Sequence, residues 1–446
     1  MNIRGRKVTV MGLGCHGGGV AATRFCAQSG ATVTVTDLAD EAALTESLAT
    51  LSDVPVAKFT LGQHQAVDFC TADVVVVNPA VKPKNPHVEL ARQAGATITS
   101  ETELFLNACP ATVIGVTGTV GKSTTSAMLG AILKSAGRHC WLGGNIGNSL
   151  LADVPHMKSA DMVVLEMSSF QLHWLSPATR WPAAAIITNC SPNHLDWHGT
   201  WNNYVAAKQR LLSHLPSDGF AVLNSQDREI AGWQPLCRGK VLFPPHPDLL
   251  PPLRVFGSHA HINAACAAAA AKQLGVNERS ISRALAEFAG LPHRLHLAAE
   301  IGGRRFYNDS KSTTPAATLA ALNAMQQPTW LLLGGADKCI DFAALASAVT
   351  RQAKGVAVFG SVAEQLQKII HQANHNFPCF RAETLHEALN WSWRQSNPDE
   401  AILLSPGCAS TDQFRDFAHR GEEFERLVDA LGLETAIAAG RSLAKH

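Results

Sequence analysis

The chain has 446 residues, more than one hydrophobic core ordinarily organises, and about 150 residues per domain suggests roughly three domains. With 46% hydrophobic and 16% charged residues it has the composition of a globular enzyme, which excludes a disordered chain. A formal net charge of +1 excludes any general attraction to nucleic acid or an anionic membrane, so an anionic ligand needs local Lys, Arg, metal ions or helix ends.

In chain order, Lys7-Val-Thr-Val-Met11 meets Gly12 too soon for a signal-peptide core, and no apolar run reaches the length of a membrane span. Eleven scattered cysteines form no CxxC pair, which argues against a zinc ribbon or thioredoxin-like site and fits a reducing compartment. The expected location is the cytoplasm. Val8–Met11, Thr32–Thr36 and Val74–Val77 read as strands separated by Ala-rich stretches of helical length, an α/β pattern with a parallel sheet. Gly12-Leu-Gly14-Cys-His-Gly17 follows the first strand, and Asp37 stands 20 residues beyond Gly17 at the end of the second. That is a dinucleotide fingerprint, and taken alone it favours an NAD enzyme.

A second pattern starts with the strand Ala111–Val116, which runs into a glycine-rich turn and a long helix. Further buried-type strands follow at Met162–Leu165 and Ala184–Thr188. The chain breaks around Gly290-Leu-Pro-His-Arg294, and a third α/β series places strands at Trp330–Leu333, Val356–Phe359 and Ala401–Leu404. Boundaries near 108 and 290 give segments 1–108, 109–289 and 290–446. The stretch Ala264–Ala271 reads as a close-packed helix.

Gly115-Val-Thr-Gly-Thr-Val-Gly-Lys-Ser-Thr-Thr125 leaves a strand and opens a helix, the context a phosphate loop needs. Gly118 and Gly121 let backbone N–H groups turn toward phosphate, and the helix N-terminus adds positive partial charge. Lys122 would bridge the β- and γ-phosphates, Ser123 would ligate Mg²⁺, and Thr119 and Thr124 complete the expected contacts. ATP is the expected occupant. Val116 stands where the strict motif has its first glycine, so an ordinary strand-to-helix turn is the competing reading.

Glu166 ends a strand, where a lone carboxylate is either a Mg²⁺ ligand or a cap. Thr188-Asn-Cys-Ser-Pro-Asn-His194 leaves the next strand, and its histidine carries no weight in isolation. With Thr200 as N-cap, a helix over 201–212 puts Trp201, Tyr204, Val205, Leu211 and Leu212 on one face with Lys208 in its middle. Such a lysine must snorkel, lower its pKa or be modified. In the third segment, Ser410-Thr-Asp-Gln413 has the spacing of a capping box opening a helix with Phe414, Phe417 and Phe424 near one face. It serves either as a pure cap or as an anion site.

These motifs, in order over nearly the whole chain, resemble the Mur ligases, with Val120 where members commonly carry Asn. Gly143-Gly-Asn145-Ile-Gly147 is similar to a family loop, and Ser168-Ser-Phe-Gln-Leu172 resembles the D-glutamate-adding members. The resemblance implies three α/β domains: a Rossmann-like UDP-binding domain, a central P-loop ATPase-like domain with a parallel sheet, and a C-terminal Rossmann-like domain for the amino acid. It implies Gly14 and Asp37 on UDP, Asn145 and Ser168 on the muramoyl substrate, and Asn263, Arg294, Asp309 and Lys311 near ATP. Lys311, Thr313, Lys338, Ser410 and Phe417 would hold the glutamate. Two Mg²⁺ ions are implied, on Ser123 and Glu166 and on His194 with a carbamate of Lys208. The expected enzyme is a monomer that joins D-glutamate to UDP-N-acetylmuramoyl-L-alanine through an acyl phosphate. Alternatives are ligation of L-glutamate or another amino acid, or a weakly catalytic nucleotide- or UDP-sugar-binding relative, the latter motivated by Val120. A folylpolyglutamate synthetase is disfavoured by the domain preceding the ATP loop, and an NAD enzyme leaves that loop and Lys208 without a task.

Overall fold

The structure is a computed structural model, which describes residues 2–15, 17–146, 149–255, 258–336 and 341–438. Two compact units are present: Met1–Pro252 with His259–Glu287, and Leu253–Ser258 with Phe288–His446. The first unit holds two wholly parallel sheets. Its N-terminal sheet contains β1 (Lys7–Met11), β2 (Thr32–Thr36), β3 (Lys58–Thr60), β4 (Val74–Val77) and β5 (Thr97–Thr99), in the order β3-β2-β1-β4-β5. All four residues of β4 are buried, as a continuous Val run with both faces covered requires. The order reverses between β1 and β4, so the glycine turn after β1 opens at a topological switch point.

The second sheet contains β6 (Thr112–Thr117), β7 (Cys140–Gly144), β8 (Met162–Glu166), β9 (Ala184–Ile187), β10 (Phe220–Leu223) and β11 (Lys240–Leu242). Its order is β11-β10-β9-β6-β8-β7. β6 is therefore flanked by β8 and β9, with Val116 paired to Glu166 and Thr117 to Ile187. Whatever leaves the C-terminal ends of β8 and β9 must border the glycine loop that leaves β6. The helix Ser258–Gln273 buries Ala264, Ala265, Ala267, Ala270 and Ala271, whose small side chains permit close packing as expected. Asn263 lies inside this helix, so it does not cap its start.

The second unit holds β12 (His296–Ile301), β13 (Arg304–Asn308), β14 (Thr329–Gly334), β15 (Gly355–Phe359), β16 (Cys379–Arg381) and β17 (Ala401–Leu404), ordered β12-β13-β17-β14-β15-β16. All neighbours pair in parallel except β12 and β13, which form an antiparallel hairpin. Gly302 and Gly303 close it at φ 56° and 76°, the positive-φ pair that a two-residue turn matched to strand twist demands. The helix expected to open at Ser410 instead begins at Phe417 and runs to Ala438. Among the described residues, no helix is long and apolar enough to cross a membrane.

Candidate active site

β6 is almost wholly buried and delivers Gly118-Thr119-Val120-Gly121 to the start of the helix Lys122–Ser135. Gly121 sits at the N-cap with φ 80°, and a β-carbon there would stand 2.3 Å from Asn263 Oδ1. One at Gly118 would stand 2.0 Å from Thr188 Oγ1, so neither glycine position leaves room for a side chain. The N–H groups of Thr119 and Val120 donate to Asn189 Oδ1 at 3.1 and 2.9 Å. Asn189 Nδ2 and Thr188 Oγ1 in turn donate to Val120 O at 2.8 and 2.7 Å. Lys122 Nζ donates to Thr119 O at 3.0 Å, Ser123 is buried, Thr124 is half-buried, and the Val120 side chain is 62% exposed.

Beneath this loop lies Lys208, which is 1% exposed. It belongs to the helix Trp201–Ser213, whose N-cap Thr200 accepts from Asn203 N at 3.2 Å, so the expected cap and buried face are both realised. Lys208 Nζ donates to Gly118 O at 2.7 Å and stands 4.8 Å from the Tyr204 ring centroid. The Tyr204 hydroxyl meets Thr119 Oγ1 at 2.8 Å, which ties the same helix to the loop. Burial, reinforced by the positive charge of Lys122, pushes the Lys208 ammonium down to about 7.

Glu166 is also buried. Its Oε1 accepts from Asn145 Nδ2 at 2.7 Å, and Asn145 N donates to Glu166 O at 2.9 Å. Among the described residues, buried Glu166 Oε2 has no hydrogen-bond partner, an arrangement that costs free energy unless a cation is supplied. That orphaned oxygen fits a Mg²⁺ ion. Asn145, expected on a substrate, has its amide turned onto this carboxylate.

His194 adopts φ 54°, a left-handed strain for a non-glycine residue, and its ring centroid lies 4.7 Å from that of Phe170. Partial burial, then Lys122, lowers its pKa, favouring the neutral ring a metal ligand requires. No group of three or more His, Cys, Asp or Glu side chains gathers as a metal site among the described residues. Ser168 Oγ accepts from Gln171 N at 3.2 Å and Gln171 Oε1 accepts from Ser168 N at 2.9 Å, a complete capping box on the helix Ser169–Trp174.

At the N-terminal sheet, Gly14 and Asp37 are in direct contact. Gly14 N donates to Asp37 Oδ2 and Ala39 N to Asp37 Oδ1, both at 2.9 Å, so the carboxylate braces the turn. The close approach of helix to strand falls on Gly19, where a β-carbon would stand 2.3 Å from Leu13 O, while one at Gly17 would meet nothing.

In the second unit, the buried Asp309 accepts from Leu295 N at 3.0 Å and from Ser405 Oγ at 2.7 Å. Burial raises its carboxyl to about 6 against those hydrogen bonds and the charge of Arg294. Lys311 Nζ lies 4.4 Å from the Phe417 ring centroid, and Thr313 N donates to Lys311 O at 2.9 Å. The buried Ser410 accepts at its carbonyl from Phe414 N at 2.9 Å, closing a turn. Its expected capping box is not formed, because Gln413 Nε2 donates to Glu383 O at 2.7 Å and Asp412 Oδ2 accepts from Ser361 N at 2.9 Å. An anion site built on a helix start at Ser410 therefore does not exist, and Phe424 is buried in the core. Lys338 lies outside the described residues. Sequence reasoning missed Asn189, which depends on β9 flanking β6, and the Asn145–Glu166 contact, which depends on β7 lying beside β8.

A glycine loop between strand and helix, a lysine buried beneath it and an acid at the adjacent strand end with one carboxylate oxygen unpaired among the described residues define a nucleotide-binding α/β protein of the phosphate-loop class. Residues 6–100 match the Mur ligase MurD-like N-terminal domain, 116–242 the Mur ligase middle domain and 293–408 the Mur ligase glutamate ligase domain. A UDP-N-acetylmuramoylalanine–D-glutamate ligase of Roseiflexus sp. (strain RS-1) is 36% identical over 96% of this chain and 100% of its own. One of the same name from Geobacter metallireducens is 35% identical over 97% of this chain and 99% of its own. The chain belongs to the Mur ligase family, in the branch of the UDP-N-acetylmuramoylalanine–D-glutamate ligases. In fold it is similar to the solved UDP-N-acetylmuramate–alanine ligase MurC of Thermotoga maritima, with a TM-score of 0.60 and 19% identity over 96% of this chain and 100% of that one.

Proposed function

We propose that this chain uses ATP to join D-glutamate to the carboxylate of UDP-N-acetylmuramoyl-L-alanine, a step in peptidoglycan precursor synthesis. The observation that carries the reading is the grouping of the phosphate loop, buried Lys208 and the orphaned Glu166 Oε2 around the end of β6. The substrate carboxylate attacks the γ-phosphorus and ADP leaves; the glutamate amine then attacks the acyl carbon and phosphate leaves. Lys122 and the loop around Gly118, Thr119, Gly121 and Thr124 hold the triphosphate, and Asn263 braces Gly121. Catalysis of this kind is mainly positioning and electrostatics.

The family uses ATP and Mg²⁺. Ser123 and Glu166 would hold one ion, with Asn145 fixing the Glu166 carboxylate, and His194 with Lys208 a second. Bound there, the ions would neutralise charge on the transferring phosphoryl group. A Lys208 amine near pKa 7 is partly neutral at physiological pH and can attack CO₂, releasing a proton and leaving an anionic carbamate oxygen. The carbamate keeps one N–H, enough to retain the bond to Gly118 O. Residues 1–108 would take the UDP end at Gly14 and Asp37, 109–289 the ATP, and 290–446 the glutamate at Lys311, Thr313, Ser410 and Phe417; the family resemblance also assigns Arg294 and Asp309 to the nucleotide.

Phosphate release with MgATP, UDP-N-acetylmuramoyl-L-alanine and single amino acids tests the reading. Turnover is expected with D-glutamate. A preference for L-glutamate overturns the stereochemical assignment, and absence of any amino-acid-dependent turnover overturns the ligase.

A further inference from the structure

Arg420 is fully buried, and among the described residues it makes four hydrogen bonds, none of them to a carboxylate. Nε donates to Ser310 Oγ at 3.0 Å and Nη2 to Ser310 O at 2.8 Å; Nη1 donates to Cys408 O at 3.2 Å and to Ala409 O at 3.1 Å. A third loop closes against the same group. Ala336 N donates to Ala409 O at 2.9 Å, and a β-carbon at Gly335 would stand 2.1 Å from Ala409 O and 3.1 Å from Arg420 Nη1. One guanidinium thus joins Ser310, between Asp309 and Lys311, to the segment entering Ser410, and the loop after β14 is tied to that segment through Ala409 O.

The helix that carries Arg420 begins with Phe417, one turn earlier. Its ring lies against Lys311 Nζ, and its carbonyl accepts from Ser310 Oγ at 2.7 Å. Among the described residues the charge of Asp412 favours the cation without a hydrogen bond to it. Burying a cation that no described carboxylate hydrogen-bonds costs more than packing a hydrophobic residue of the same volume, so this arginine is a poor choice for stability alone. A planar fork can bind oxygens on separate loops at fixed angles, which an ammonium cannot do. Burial lowers the guanidinium to about 10, which leaves it charged at neutral pH.

We infer that Arg420 is a positioning residue that holds three loops in the register needed to receive the carboxylates of the incoming amino acid. This rests on the reading of the second unit as the glutamate-binding part. It acts through Lys311, Ser410 and Phe417 and touches no reacting atom.

Arg420→Lys keeps the charge and loses the fork. It is expected to raise KM for D-glutamate about tenfold while KM for UDP-N-acetylmuramoyl-L-alanine, whose UDP end is assigned to residues 1–108, stays within about twofold. Amide hydrogen exchange should rise at residues 309–314 and 408–410 and stay unchanged across Ala401–Leu404. Exchange raised uniformly over the sheet, or loops that open without a change in glutamate KM, overturns the positioning role, as does an unchanged exchange pattern. Should Arg420→Lys fail to fold, Ser310→Ala removes one acceptor of Arg420 together with the donor to Phe417 O and is expected to shift both readouts in the same direction by less; unchanged readouts overturn the inference. A wild type that ignores glutamate in the turnover assay overturns the proposed function, while the exchange pattern still decides whether Arg420 clamps the loops.

Discussion

Lys208 in the first unit and Arg420 in the second are both buried cations whose hydrogen bonds go to carbonyl and hydroxyl oxygens of functional loops. Similar burial has opposite chemical consequences. The lysine falls to about 7 and becomes partly neutral, hence open to conversion into something else. The arginine falls only to about 10 and stays a cation, so it can serve as a permanent clamp. Desolvation turns the group with the lower intrinsic pKa into a reactive amine and leaves the other as architecture.

The strongest way to break this comparison is Lys208→Ala, which is expected to lower turnover by about a hundredfold or more. Millimolar acetate or formate should restore part of it, since a small carboxylate can supply the oxygens of a carbamate. Failure of every short acid to restore phosphate release would remove the carbamate from the account. The same acids are expected to do nothing for Arg420→Lys, whose defect is geometric.

A smaller effect is expected at the support beneath the metal site. Asn145→Ala releases Glu166 Oε1 and should raise the Mg²⁺ concentration for half-maximal phosphate release about tenfold, as loss of a residue that orients a ligand does. An unchanged magnesium titration would mean that Glu166 is not a ligand or that Asn145 does not orient it.

The smallest effect separates the two cations by pH. The folded pKa of Lys208, about 7, lies below its ordinary value of 10.5, so the unfolded chain binds more protons between those values. In carbonate-free buffer, wild-type stability should therefore rise relative to Lys208→Met as pH climbs from 7 to 10, read as thermal midpoints. For Arg420 the corresponding window opens only near 10. Parallel midpoints for wild type and Lys208→Met across that range would show that Lys208 is not a buried ammonium titrating near 7.

Several features were legible without coordinates because their causes lie within a few turns of chain. β-branched runs marked β1, β2, β4 and β6, and the 100° periodicity of residues 201–212 placed Lys208 on a buried face beneath a Thr200 cap. The glycine loop announced itself through the need for close backbone approach, now seen as the contacts at Gly118 and Gly121. Local spacing misled where a distant partner competed. Ser410-x-x-Gln413 has capping spacing, but Glu383 and Ser361 claim the side chains of Gln413 and Asp412, and the helix waits until Phe417.

Sequence alone determined the α/β pattern, the phosphate loop and the awkward lysine, since each follows from side-chain period or backbone sterics over short distances. Tertiary structure decided the strand order that sets Glu166 and Asn189 beside that loop, the diversion of Asn145 onto Glu166 and the gathering of three loops on Arg420. Those contacts join residues from about 20 to more than 100 positions apart, and only the folded sheet, by closing the long loops between them, brings their donors and acceptors within reach.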